Sequence, residues 1–231
     1  MSNAMPGRWS KALLEAAVIV GSILLAFAID AAWDSRSEAR RRDAFSLAIG
    51  REMTLALSEA DRVAAHFQDG AEAVQVLLSI DPDLPLGPAD APAIDSLLRI
   101  VLFSTATFDA PTGAVNGLLT SGDIDLLDEP EFLVELTAFP ALVSDLEREQ
   151  RALSEISGDL VSYLLSNGVD SSHLNEELDV PWQLAPTPAY EIVGQVHFRG
   201  LMDETWWRLQ NSLSVLADIR EGIDRIQRLL D

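Results

Sequence analysis

Residues 12–29 read ALLEAAVIVGSILLAFAI, an eighteen-residue run in which Glu15 is the one charged side chain. Ten of these residues are Leu, Ile, Val or Phe, and about 20 apolar residues suffice for a helix to cross the hydrocarbon core of a bilayer. Trp9 and Trp33 stand on either side of the run, about 36 Å apart along a helix. Because indole rings collect at both edges of a membrane, this pair favours a membrane-spanning helix in contact with lipid.

Two other interpretations of the run stay open. Arg8 and Lys11, the apolar stretch and the sequence Ala26-Phe27-Ala28 together resemble a secretory signal with a cleavage site. A buried helix of a water-soluble bundle would also be apolar over this length. We expect an anchor at residues 5–36, after a cloning scar at residues 1–4 and before an acidic helical domain at residues 37–231.

Small residues recur at a spacing of four within the run. Ala17 precedes Gly21, and Ser22 precedes Ala26. This spacing lets two helix backbones approach closely in lipid. It therefore predicts self-association of the chain as a homo-oligomer.

Two carboxylates, Glu15 and Asp30, lie about one turn inside the two ends of the apolar run. Solvation at the membrane surface is the expected role of each, since a side chain one turn from the edge can reach the headgroups. A pathway for protons or ions through an oligomer is the alternative, and it would need both side chains to face a common interior.

The charge of the chain is concentrated after the apolar run. The formal net charge is −21, whereas basic and acidic residues cancel over residues 1–36. A strongly acidic domain repels phosphate backbones, so nucleic-acid binding is not expected. The chain has no cysteine, which excludes disulfides and thiolate metal sites. More arginines follow the run than basic residues precede it, and this weakly favours a cytoplasmic domain.

The remaining sequence has the period of helices. Apolar residues at spacings of three and four continue past Trp33, with no proline before Pro82, which predicts one long helix from the span into the domain. Short helices are expected at about 91–104 and 114–119, a long helix with a kink at Pro140 from about 130 to 166, and a last helix from about 202. We expect an all-α fold, an antiparallel bundle of about three long and two short helices.

Two stretches support a family resemblance. Residues 14–26, LEAAVIVGSILLA, are followed by Asp30, Trp33 and Asp34, and residues 120–128 read TSGDIDLLD. Both resemble a group of uncharacterised bacterial proteins with a single membrane span. The resemblance implies an anchor in the bacterial inner membrane and an all-α fold, and it implies no activity, cofactor or site residue.

No pattern of catalytic, cofactor-binding or metal-binding residues appears in the sequence. The three histidines, His66, His173 and His197, lack the spacing of metal ligands. Trp206 and Trp207 diverge by about 100° on a helix, so core or loop packing is expected, with a partner or membrane surface as the alternative.

These features favour a non-enzymatic, membrane-tethered scaffold or interaction module that self-associates. A sensor-like bundle that binds a small ligand is the second hypothesis, and an ion- or proton-conducting oligomer is the third.

Overall fold

The residues that the structure describes form helices joined by loops, with no strand among them. The computed structural model describes residues 7–83, 85–122, 130–169 and 188–230, with side chains from Leu13 onward. Its helices are α1 (Gly7–Ser79), α2 (Ala91–Leu102), α3 (Gly113–Ser121), α4 (Pro130–Ser166) and α5 (Val196–Leu230), and a 3₁₀ turn lies at Ala189–Glu191. The predicted all-α bundle of three long and two short helices is confirmed.

Helix α1 contains 73 residues and is about 110 Å long. It continues from the apolar run into the domain without a break, as the periodicity predicts. Apart from the half-buried Ser37, side chains 13–44 are exposed, and the buried face begins at Ile49 and Met53. We name three parts of α1: the apolar segment (13–33), the stalk (34–44) and the bundle part (45–79).

Helix α5 packs along both α1 and α4 and runs antiparallel to each. Helices α1 and α4 approach each other far less than either approaches α5. The neighbouring residues that show this direction are Gly50 with Leu230 and Gly70 with Leu209 for α1, and Leu142 with Gly222 and Tyr163 with His197 for α4. Therefore α1 and α4 point the same way, and α5 is the main partner of both.

One apolar core extends through the bundle. It includes three fully buried phenylalanines, Phe67 on α1, Phe139 on α4 and Phe198 on α5. Helix α2 packs mainly on α1, and α3 lies against α1 nearer the stalk. The two short helices thus cover part of the α1 surface that α5 leaves exposed.

Helices α3 and α4, predicted to end at about residues 119 and 166, are each followed by a glycine with a left-handed backbone. Gly122 (φ 77°) follows α3 and Gly168 (φ 76°) follows α4, and this left-handed backbone is one that glycine adopts without strain. After α4, the Gly168 amide donates to the Leu165 carbonyl, and the Val169 amide donates to the Leu164 carbonyl. These two bonds satisfy carbonyls at the helix end.

One boundary differs from the prediction. Helix α5 begins at Val196, about six residues before the expected start at 202. Val196 is exposed and Gly200 weakens the helical pattern, but Phe198 is buried in the core. Packing of Phe198 therefore stabilises a first turn that periodicity alone does not reveal.

Candidate membrane-anchoring site

The apolar segment of α1 is uncovered along its whole length. Every side chain from Leu13 to Trp33 is exposed, and Trp33 at its end is 66% exposed. By length and composition, α1 is the one helix in the described part of the chain that can cross a membrane. The segment is not a core helix of the bundle, in contrast to the buried-helix interpretation. The Trp9 side chain lies outside the described residues, so its place in a membrane belt stays a prediction.

The small residues form two separate patches on the apolar segment. At about 100° per residue, Ala17 and Gly21 lie on one side of α1, and Ser22 and Ala26 lie about 140° away. A methyl group added at Gly21 would have no atom within 4 Å. The Ser22 hydroxyl donates to the Ile19 carbonyl at 2.8 Å, so it is satisfied within its own helix. Either patch leaves room for a neighbouring helix.

Glu15 and Asp30 are exposed on the apolar segment. Neither has a hydrogen bond or an ion pair with another described side chain. About 22 Å of helix separates them, so a single chain does not bring them together.

The stalk carries two arginines on one face directly after Trp33. Arg36 and Arg40 are one turn apart and about 40° apart around the helix axis, and both are exposed. The Arg40 Nε donates to the Arg36 carbonyl at 3.2 Å. This bond holds the Arg40 guanidinium back toward the apolar segment.

The end of the bundle near the stalk is held by an acidic residue of α1. Carboxylate oxygens of Glu52 accept hydrogen bonds from the backbone amides of Ala114 at 2.6 Å and Val115 at 3.2 Å. These amides begin α3 and have no partner within that helix. Glu52 therefore supplies an N-terminal cap from 62 residues away, a contact that local sequence patterns do not reveal.

The opposite end of the bundle is held by an arginine of α5. Arg199 donates from Nη1 to the Ile80 carbonyl at 3.0 Å and from Nη2 to the Leu78 carbonyl at 2.6 Å. These carbonyls lie at the C-terminal end of α1, whose last turn has no basic residue of its own. Sequence reasoning missed this contact too, because its partners are distant along the chain.

Trp206 and Trp207 lie on the surface of α5 and do not belong to the core. They are 39% and 53% exposed. The Arg208 guanidinium lies 5.2 Å from the Trp207 ring centroid. Leu209, beside this pair, packs near Gly70 of α1, about 55 Å from Trp33 along that helix. This position is far from a membrane at the apolar segment, whereas the loop at 181–187, their predicted alternative neighbour, lies outside the described residues.

The described histidines have local contacts. His66 Nε2 lies 2.5 Å from the Phe103 carbonyl, and the His197 ring stacks on Tyr163 with centroids 4.8 Å apart. His173 lies outside the described residues. In the described chain, no three His, Asp or Glu side chains are grouped as metal ligands would be.

Several open grooves lie on the surface of the described bundle, and two of them contain apolar side chains where helices meet. One, of about 520 Å³, lies between α1 and α2 and includes the exposed Val76, Ile100 and Phe103. The other, of about 470 Å³, lies between the first turn of α4 and the last turns of α5. Neither Trp206 nor Trp207 lines either of these two grooves.

No protein-family model, curated protein or solved structure matches the chain. The resemblance to bacterial single-span proteins therefore stays a prediction.

Proposed function

We propose that this chain is a non-enzymatic, helical scaffold module, tethered to the bacterial inner membrane by α1 and self-associating through it. The observation that carries the proposal is the continuity of α1, whose exposed apolar segment and bundle part are one helix. A change in how the segment packs in the membrane would be transmitted directly to the bundle.

The balance of energies supports insertion of the apolar segment. Its ten large aliphatic or phenylalanine side chains from Leu13 to Ile29 are all exposed, and on the membrane-insertion scale they contribute roughly 3–6 kcal/mol at about 0.3–0.6 kcal/mol each. On the same scale Glu15 and Asp30 would oppose this by about 5–7 kcal/mol together at the centre of the span. Both lie near the ends, where a carboxylate reaches the headgroups and its cost is smaller, so the balance favours insertion.

The proposed role of the bundle is binding. Its buried residues are almost all apolar, with large side chains such as Phe67 and Leu136 fully buried. The described histidines are engaged in structural contacts with Phe103 and Tyr163. We place the bundle on the cytoplasmic side, in line with the greater number of arginines after the span.

The anchor is tested by charging the centre of the apolar segment. We expect the parent chain, made in bacteria, to stay with membranes through an alkaline carbonate wash. Val20→Arg with Leu24→Arg should release at least tenfold more chain, because each central arginine costs about 2.5–3.5 kcal/mol on insertion. Leu165→Arg is the matched control, since Leu165 is equally exposed but lies on the bundle. Release of the parent chain by the wash would refute the anchor.

A further inference from the structure

We infer that Arg36 and Arg40 form a binding site for the phosphate of an anionic lipid headgroup. The inference rests on the proposed membrane anchor. The two residues are exposed and lie on the same side of the stalk, one helical turn apart, shortly after the exposed Trp33. Two planar donor groups in such proximity suit the oxygens of one phosphate, which guanidinium binds in a bidentate manner.

Neither arginine has a carboxylate partner among the described residues. The hydrogen bond from Arg40 to the Arg36 carbonyl uses Nε alone, so the terminal nitrogens of Arg40 and the whole guanidinium of Arg36 stay available. By contrast, five arginines of the bundle pair with acids in a chain that has 37 acidic and 16 basic residues. The paired set is Arg62 with Glu59, Arg148 with Asp145, Arg208 with Glu149, Arg220 with Asp61, and Arg225 with Glu135.

The level of the two arginines fits the headgroup layer. With Trp33 at the edge of the hydrocarbon core, the backbones of Arg36 and Arg40 lie about 5 and 10 Å farther out. Headgroups occupy the next 5–7 Å or so on each side of the core. Arg36 lies within this layer, and the bond to Arg36 turns Arg40 back toward it. Charge complementarity and position therefore both favour a lipid phosphate.

The stalk also separates this basic site from the acidic bundle. The first half-buried residue of the bundle, Phe45, lies about 18 Å from Trp33, roughly two Debye lengths at physiological ionic strength. Repulsion between the bundle and anionic lipid is screened over that distance. The arginine pair can therefore attract headgroups that the bundle would repel.

Lipid quenching at a single labelled position tests the inference. The chain has no cysteine, so Ser35→Cys gives a unique site for a fluorophore next to the pair. The labelled full chain is placed in two preparations of phosphatidylcholine vesicles. One contains a small fraction of brominated phosphatidylglycerol, and the other contains a small fraction of brominated phosphatidylcholine. Quenching requires contact. Two arginines near an anionic surface predict an enrichment of phosphatidylglycerol at the label of up to about thirtyfold.

The double variant Arg36→Gln, Arg40→Gln should reduce that enrichment to about one, whereas Arg148→Gln with Arg220→Gln should leave it unchanged. Equal quenching by the two lipids in the parent chain, or enrichment that survives the stalk variant, would overturn the inference while leaving the anchor intact. Loss of enrichment on adding inorganic phosphate at matched ionic strength would also overturn it, because the pair would then bind free phosphate. If neither lipid quenched the label, the membrane anchor itself would fail.

Discussion

At Gly70, α1 passes so close to the chain after α2 that a side chain does not fit. A methyl group there would lie 2.5 Å from the Cβ of Ser104, which is 2% exposed. We expect Gly70→Ala to lower the free energy of unfolding by about 1–3 kcal/mol through overpacking, despite a helix-propensity gain of up to about 1 kcal/mol. Denaturant unfolding in detergent, followed by tryptophan fluorescence, measures the change.

Gly158→Ala is the matched control on α4, where the added methyl has no atom within 4 Å. It should stabilise the bundle by about 0.5–1 kcal/mol. Equal effects of the two substitutions would contradict the close contact at Gly70.

Tyr163 provides a test that depends on pH. Burial raises the pKa of its phenol above the ordinary value near 10, because the phenolate is poorly solvated. Between the unfolded and folded pKa the folded chain binds more protons, so stability is complete below about pH 10 and falls as the pH rises through the folded pKa. Near-ultraviolet absorbance of Tyr190→Phe, which leaves Tyr163 as the one tyrosine, should show the raised pKa in the native chain and its return to about 10 in denaturant.

The surroundings of Gly70 and Tyr163 could not be predicted from the sequence. In the sequence, Gly70 looks like a weak point in a helix, and its role depends on Ser104, which lies far along the chain. Likewise, Tyr163 contacts Gln195 and His197 across two helices. The spacing of apolar residues along the chain indicates which side of a helix is buried. It does not indicate which residues of another helix pack against that side.

Among the elements, the end of α1 depends most clearly on another helix. Arg199→Ala removes two charge-assisted hydrogen bonds to the Ile80 and Leu78 carbonyls, and we expect a loss of about 2–3 kcal/mol in unfolding free energy. Faster hydrogen exchange in the last turns of α1 should accompany it. Arg151→Ala, at an exposed position on α4, should change stability by less than about 0.5 kcal/mol. An Arg199→Ala variant as stable as that control would show that the cap is dispensable.

Most helix boundaries followed from residue types that act locally. Proline at the first position of α4 and glycine after α3 and α4 mark helix ends in the sequence, and the structure has helix ends at these places. The first turn of α5 was missed because Phe198 is held by the core and not by its neighbours in sequence. Caps by Glu52 and Arg199 were missed for the same reason.

For the whole molecule, the proposed self-association predicts a mass in detergent that is a multiple of the chain mass in light scattering. The two patches of small residues allow the contact face to be identified. Leucine at the contact face should lower the oligomer fraction at least tenfold, because it separates the backbones. Ala17→Leu probes one patch and Ala26→Leu the other. Ala16→Leu, next to Ala17 but about 100° around the helix, should have no effect, and a strictly monomeric parent chain would refute the association.

The overall arrangement was predictable only in part. Periodicity gave an all-α bundle and a helix shared between the apolar segment and the domain. The parallel direction of α1 and α4, with α5 packed on both, requires knowledge of which apolar faces meet. The apolar pattern of one helix does not specify which other helix packs against it.

The central place of α5 has a consequence for biosynthesis. Helix α5 follows both of its partners along the chain, and 64 residues separate Ser166 from Leu230. At about 5–20 residues per second, the ribosome needs roughly 3–13 s to make them. During that interval the apolar stripes of α1 and α4 lack their main cover, while the apolar segment has already left the ribosome. The nascent chain therefore exposes apolar surface on α1 and α4 at the stage when its first helix is ready for insertion.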